Sequence, residues 1–111
     1  MANDKDTDEI ELKEAMELVN SNRSIFVWIG GYTTTPLADL LEIDGSKVVE
    51  ESPFELLDRA AYPDVLKRYE RPIFVCNHGI TSYELVKELA NMGIKAYSLA
   101  GGIEGIKQNV G

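Results

Sequence analysis

Cysteine is nearly absent from this chain: Cys76 is the one thiol among 111 residues. An internal disulfide is thereby excluded, and a reducing, cytoplasmic setting is the expectation. Histidine is as scarce, with His78 alone. One cysteine and one histidine two residues apart fall short of a metal's usual ligand set, so no metal or cofactor is expected. Cations are outnumbered, 11 Lys and Arg against 19 Asp and Glu, for a formal charge of −8. That balance argues against nucleic acid or an anionic membrane as a partner. No apolar run approaches the roughly 20 residues of a membrane helix. The polar, acidic start Met1-Ala2-Asn3-Asp4-Lys5-Asp6 is unlike a signal or transit peptide.

What is present is an ordinary soluble composition, 44% apolar and 27% charged, at a length that suits one domain. Residues 1–7 are expected to be a flexible N-terminus and 8–111 a single domain. From about Asp8 to Asn20, Leu12, Met16 and Val19 recur at helical spacing, with Asp8 and Glu11 placed like a capping box. Ser24 to Ile29 is a continuous apolar run stopped by Gly30-Gly31, the pattern of a buried strand, with Trp28 in the core. Tyr32 to Ser46 shows no clear period, and its threonines Thr33 to Thr35 read as a polar surface turn; Lys47 to Glu50 reads as a small strand. Ser52-Pro53-Phe54-Glu55 is a strong helix start, and Pro63-Asp64 opens another turn or two. After a strand at 72–76, Thr81 and Glu84 suggest a second capping box. Leu85, Leu89 and Met92 mark that helix's inner stripe, and Gly93 followed by Ile94 ends it. Lys95 to Leu99 reads as a strand, Gly101-Gly102 as a turn, and Ile103 to Asn109 as a last helix. This alternation predicts an α/β domain with a mainly parallel central sheet flanked by helices. Ligands gather at the C-terminal ends of such strands, and Cys76 stands at one.

A thiol at the end of an apolar strand is most simply a small hydrophobe. Its position before a helix points instead to chemistry. The N–H groups gathered at a helix N-terminus favour an anion, lower a thiol's pKa and so make it a nucleophile. Gly79 lets the loop turn until consecutive N–H groups converge on one point, and Thr81 is placed to cap the helix. Because backbone amides bind whatever the side chain, Asn77 and Ile80 are expected to shape the loop and its rim. His78 is the loop's one potentially cationic side chain. Ser82 is a helix-start residue first and a donor to sulfur second.

From Pro72 to Gly105 the chain resembles the second half of a rhodanese (sulfurtransferase) domain. The features that carry the resemblance are the apolar strand into Cys76, the loop Cys76 to Thr81, Ser82 opening the helix, and Met92-Gly93-Ile94, then Leu99-Ala100-Gly101-Gly102-Ile103-Glu104-Gly105. In that family the cysteine takes sulfane sulfur from a donor such as thiosulfate, carries it as a persulfide and passes it to a nucleophilic acceptor. The resemblance implies a single rhodanese-like domain over 8–111 with Cys76 as nucleophile. It also implies that the amides of Asn77, His78, Gly79, Ile80, Thr81 and Ser82 cradle the terminal sulfur. The first half departs from the pattern. Rhodanese domains follow their early strand with aspartate-x-arginine and a glycine-histidine-isoleucine-proline-glycine segment. This chain reads Val27-Trp28-Ile29-Gly30-Gly31-Tyr32-Thr33-Thr34 there. The family's arginine near the active-site loop is thus missing, and Ile106 stands in the place of its late tryptophan.

The expected function is a single-domain sulfurtransferase working through a Cys76 persulfide, with ping-pong kinetics. Its partner would be a small sulfur donor or a persulfide-bearing protein, and the negative charge suits a protein persulfide or another thiol better than thiosulfate. The alternative is a catalytically degenerate rhodanese-like binding or regulatory module, favoured by the missing arginine and opposed by the intact loop. Phosphatases and arsenate reductases of this fold need an arginine at the far end of a longer loop, to clamp an oxyanion. Here the residue six beyond Cys76 is Ser82. Thiol–disulfide exchange lacks a resolving cysteine.

Overall fold

Five short strands form one parallel sheet in the computed structural model, which describes residues 8–110. They are β1 (Glu9–Ile10), β2 (Phe26–Trp28), β3 (Val48–Glu50), β4 (Ile73–Val75) and β5 (Tyr97–Leu99), in the order β1-β5-β4-β2-β3. The expected flexible stretch 1–7 lies outside the described residues. Register puts Val27 beside Phe74 and Phe74 beside Ser98 at the centre of the sheet. Parallel strands need crossovers, and crossover helices cover both faces, which is why Ile25 to Ile29 and Ile73 to Cys76 are apolar without alternation.

Successive residues of those runs enter different cores. Phe26, Trp28, Ile73 and Val75 pack with α1 (Leu12–Asn20), α2 (Leu37–Leu41) and α6 (Gly102–Val110). Ile25, Val27, Ile29, Phe74 and Cys76 pack on the other side with α3 (Pro53–Leu56), α4 (Asp64–Lys67) and α5 (Ile80–Asn91). Phe26 and Phe74 are wholly buried, one on each face. Burying a side chain of that size stabilises the fold by about 1.5–3 kcal/mol. Ile106 is buried in the first of these cores. No helix among the described residues is long and apolar enough to cross a membrane.

Two local expectations are corrected, and one unread stretch is filled in. Asp8 and Glu11 form no capping box: Glu9–Ile10 is an edge strand on β5, with Ser98 N–H donating to Asp8 O at 2.7 Å and Ala100 N–H to Ile10 O at 3.0 Å. Glu11 is then extended at the start of α1 and makes no side-chain cap bond. A strand of two residues is too short to show a period, so sheet pairing overrode a local helical signal. Thr81 does not cap α5, which begins one residue earlier at Ile80, behind Gly79. The unread stretch from Tyr32 to Ser46 holds α2, whose Leu37 is buried, and a 3-10 turn at Gly45–Lys47 capped by Asp44, whose carboxylate accepts from Ser46 N–H at 2.8 Å. The Ser52 cap forms, its hydroxyl accepting from Phe54 N–H at 3.3 Å. Gly93 closes α5 at φ +83°, with Ile94 N–H donating back to Leu89 O at 2.9 Å.

Candidate active site

The topology sets two loops side by side at the C-terminal edge of the sheet. β2 and β4 are neighbours, and Ile29 N–H donates to Val75 O at 2.9 Å, so the chain leaving β2 runs along the start of the cysteine loop. A cavity of about 360 Å³ opens between them, lined by Ile29 and Gly30 on one wall and by Cys76, Asn77, His78, Ile80 and Thr81 on the other.

Cys76 directly follows β4 and is only 4% exposed. Its Sγ accepts N–H bonds from Gly79 at 3.2 Å and Ser82 at 3.3 Å, and lies 3.3 Å from Ser82 Oγ. The sulfur therefore does what a capping side chain does at other helices. It occupies the acceptor position for the unpaired amides of the first turn of α5, which explains why no Thr81 cap is needed. Gly79, at φ +87°, supplies the left-handed residue that turns those amides inward. Burial of the thiol pushes its pKa up; the Ser82 hydroxyl and the amides of Ser82, Gly79 and His78 outweigh that, and the net position is below a free thiol's. These donors favour the thiolate form of a sulfur that lies against the cavity.

A second helix braces the loop. α6 begins at Gly102, and the next two amides donate to the loop carbonyls: Ile103 N–H to Cys76 O at 2.9 Å and Glu104 N–H to Asn77 O at 3.0 Å. Gly102 is itself at φ +59°, and a Cβ there would collide with Cys76 O and come within 2.7 Å of Gly79 N. The cysteine loop is thus clamped between two helix starts, backbone against backbone.

The expected loop residues are placed as follows. The amides of Gly79 and Ser82 converge on the Cys76 sulfur, and Ser82, in the first turn of α5, is fully buried. Asn77, His78, Ile80 and Thr81 are exposed and form the cavity's rim. One participant escaped the sequence. Ser98, in the middle of β5 and wholly buried, places its Oγ 2.7 Å from Ser82 Oγ. When Ser82 donates to a thiolate, the Ser98 hydroxyl donates to Ser82, so the three groups form one chain of hydrogen bonds. The available signal was a serine inside an apolar strand, because a buried hydroxyl needs a partner.

The facing wall contributes no cation. Trp28 Nε1 donates to Gly31 O at 2.6 Å, and its indole lies so close beneath Gly30 that a Cβ there would overlap the ring. This tight turn stands where the rhodanese pattern would place aspartate-x-arginine. Arg71 sits at the other end of β4, where it donates to Ala96 O at 2.9 Å and stacks 3.8 Å from the Tyr97 ring.

This geometry can be set beside known proteins. The fold is similar to part of an NAD-dependent persulfide reductase from A. fulgidus, with a TM-score of 0.59 and 21% sequence identity. The likeness covers 87% of this chain and 15% of that one. It is a likeness of fold. No family model matches the sequence, and no curated protein matches it.

Proposed function

We propose that this chain is a sulfurtransferase unit that carries sulfane sulfur as a persulfide on Cys76. The observation that supports it is the coordination of Sγ: two converging amides and a hydroxyl surround the sulfur beside a cavity open to a donor. In the first step the thiolate attacks the outer sulfur of a persulfide R–S–SH. The new Cys76 S–S bond forms as the donor's S–S bond breaks, and R–S⁻ leaves with the bonding pair. In the second step an acceptor thiolate attacks the outer sulfur of Cys76–S–SH, regenerating the Cys76 thiolate. Sulfur passes on without any external oxidant or reductant. The amides of the loop favour negative sulfur at both stages, so the persulfide anion is stabilised in the same cradle as the thiolate.

The persulfide in the name of the A. fulgidus enzyme belongs to the same class of sulfur chemistry. Ser82 speaks against phosphate-ester chemistry, since a hydroxyl cannot supply the bidentate clamp of an arginine. The test is the intact mass of reduced protein after brief exposure to thiosulfate or a small persulfide. The expected result is gain of one sulfur atom, released by cyanide and absent from Cys76→Ser. No gain with either donor, while Cys76 still alkylates, would leave the binding-module reading in its place.

A further inference from the structure

The cavity over Cys76 does not stand alone. A second cavity of about 440 Å³, on the β2–β3 side, shares Ile29 with it. A third of about 440 Å³, along α5, shares Thr81 with it, and the second and third meet at Pro53. The three therefore ring a single face with the buried thiol in one corner. Large apolar side chains are exposed on that face or next to its lining in the chain: Tyr32 is 91% exposed, Phe54 85% and Ile80 66%. Tyr32 lines the second cavity, Ile80 the thiol's own, and Phe54 follows the shared Pro53.

The charge on the face has one dominant sign. Glu50, Glu51 and Glu55 line the second cavity, and Glu84 and Glu88 the third. Lys87 is the one cation among these linings, and its ammonium lies 3.8 Å from Asp8. Partial burial, with the Glu55 charge adding to it, pushes the Glu51 carboxyl up. An anion such as thiosulfate must approach through that field and finds no arginine or lysine on the walls of the thiol's cavity. A second copy of this chain would bring the same glutamates, and an anionic lipid surface the same sign of charge. Exposed aromatics beside acid suit a partner with an apolar tip and a basic surround.

We propose, resting on the sulfurtransferase reading, that this face docks a basic protein partner and receives sulfur from a persulfidated cysteine set in an apolar tip flanked by lysine or arginine. Phe54, Tyr32 and Ile80 would take the apolar tip, and Glu50, Glu51 and Glu55 the flanking cations. In the transfer the partner's Cys–S–SH gives its outer sulfur to the Cys76 thiolate, and the partner's cysteine departs as a thiolate.

The test compares the rate at which the 111-residue chain gains sulfur from four donors: a lysine-flanked peptide persulfide with a leucine beside its cysteine, its glutamate-flanked counterpart, thiosulfate, and uncharged 2-hydroxyethyl persulfide. The expected result is that the cationic peptide outpaces the acidic one by about tenfold or more at low salt, as electrostatic steering gives, with the ratio falling as salt rises. In the Glu50→Gln/Glu51→Gln/Glu55→Gln variant the ratio should collapse towards one, and Phe54→Ala should slow both peptides relative to the uncharged donor. Equal rates for the two peptides, or a ratio unmoved by salt and by the glutamine variant, would overturn the docking proposal. If the uncharged donor still loads Cys76 in that case, the sulfurtransferase reading survives. If no donor loads it, both fall.

Discussion

The two walls of the Cys76 cavity are built by different means. The wall from Cys76 to Ser82 is backbone: amides of two helix starts, two glycines in the left-handed region and one serine hydroxyl surround the sulfur and its loop. The facing wall, from Trp28 to Gly31 with Glu50 to Glu55 beyond it, is side chain, apolar and acidic. The first wall holds the groups that lower the Cys76 pKa; under the proposed function, choice of donor belongs to the second. A backbone cradle tolerates change in most of its side chains, because the groups that act are common to every residue. A side-chain wall can lose an arginine and gain glutamates without disturbing the nucleophile.

The largest effect expected from breaking this division is Gly102→Ala. A left-handed alanine costs about 1–2 kcal/mol, and its methyl would push against Cys76 O and Gly79 N, with overpacking adding about 1–3 kcal/mol. Chemical denaturation should show the combined loss, and Cys76 alkylation should slow because the amides have moved off the sulfur. Gly30→Ala strikes the opposite wall. Its methyl would meet the Trp28 indole, costing about 1–3 kcal/mol on denaturation, while the pH midpoint of Cys76 alkylation should stay in place. A shifted midpoint would show that the walls are not independent.

Within the backbone wall, Ser82→Ala removes the hydroxyl that helps hold the Cys76 pKa down. The alkylation midpoint should move up, and the rate at neutral pH fall roughly tenfold, as expected for loss of a charge-assisted hydrogen bond. Ser98→Ala should act in the same direction but by roughly twofold, since its hydroxyl works through Ser82. A larger effect from Ser98 than from Ser82 would refute the chain as drawn. The smallest effect is on stability against pH. The folded pKa of Cys76 lies below that of the unfolded chain, so the unfolded state binds more protons between the two values. The thiolate's contribution is fully present above the unfolded thiol's value of about 8.5 and is lost as pH falls through the folded one. Relative to Cys76→Ala, the wild type should therefore gain stability as pH rises from neutral into that range, measured by denaturation at each pH.

The cysteine loop was legible because its information is local. Apolar strand, Cys76, Gly79 and the helical stripe of Leu85 and Leu89 are contiguous, and a strand-to-helix turn brings its own amides to the end of the strand. Ser98 was not legible as part of the site, because the contact with Ser82 spans sixteen residues and exists only once β5 lies beside β4. The edge strand Glu9–Ile10 was misread as helix for the same reason: its pairing partner is Ser98–Leu99, at the far end of the chain.

By itself the sequence determined the alternation of strands and helices, the glycine turns and the position of the thiol before a helix, since periodicity, caps and backbone freedom act over a few residues. Only the tertiary structure decided that the thiol would be the cap of α5, that two buried serines would stand in line behind it, and that the acids at Glu50 to Glu55 and the acids on α5 would line the two cavities that adjoin the thiol's own. Those arrangements depend on the order of strands in the sheet, which brings β2 and β5 to either side of β4. That order is set by the burial of two apolar faces at once, a property of the whole chain that no short segment carries.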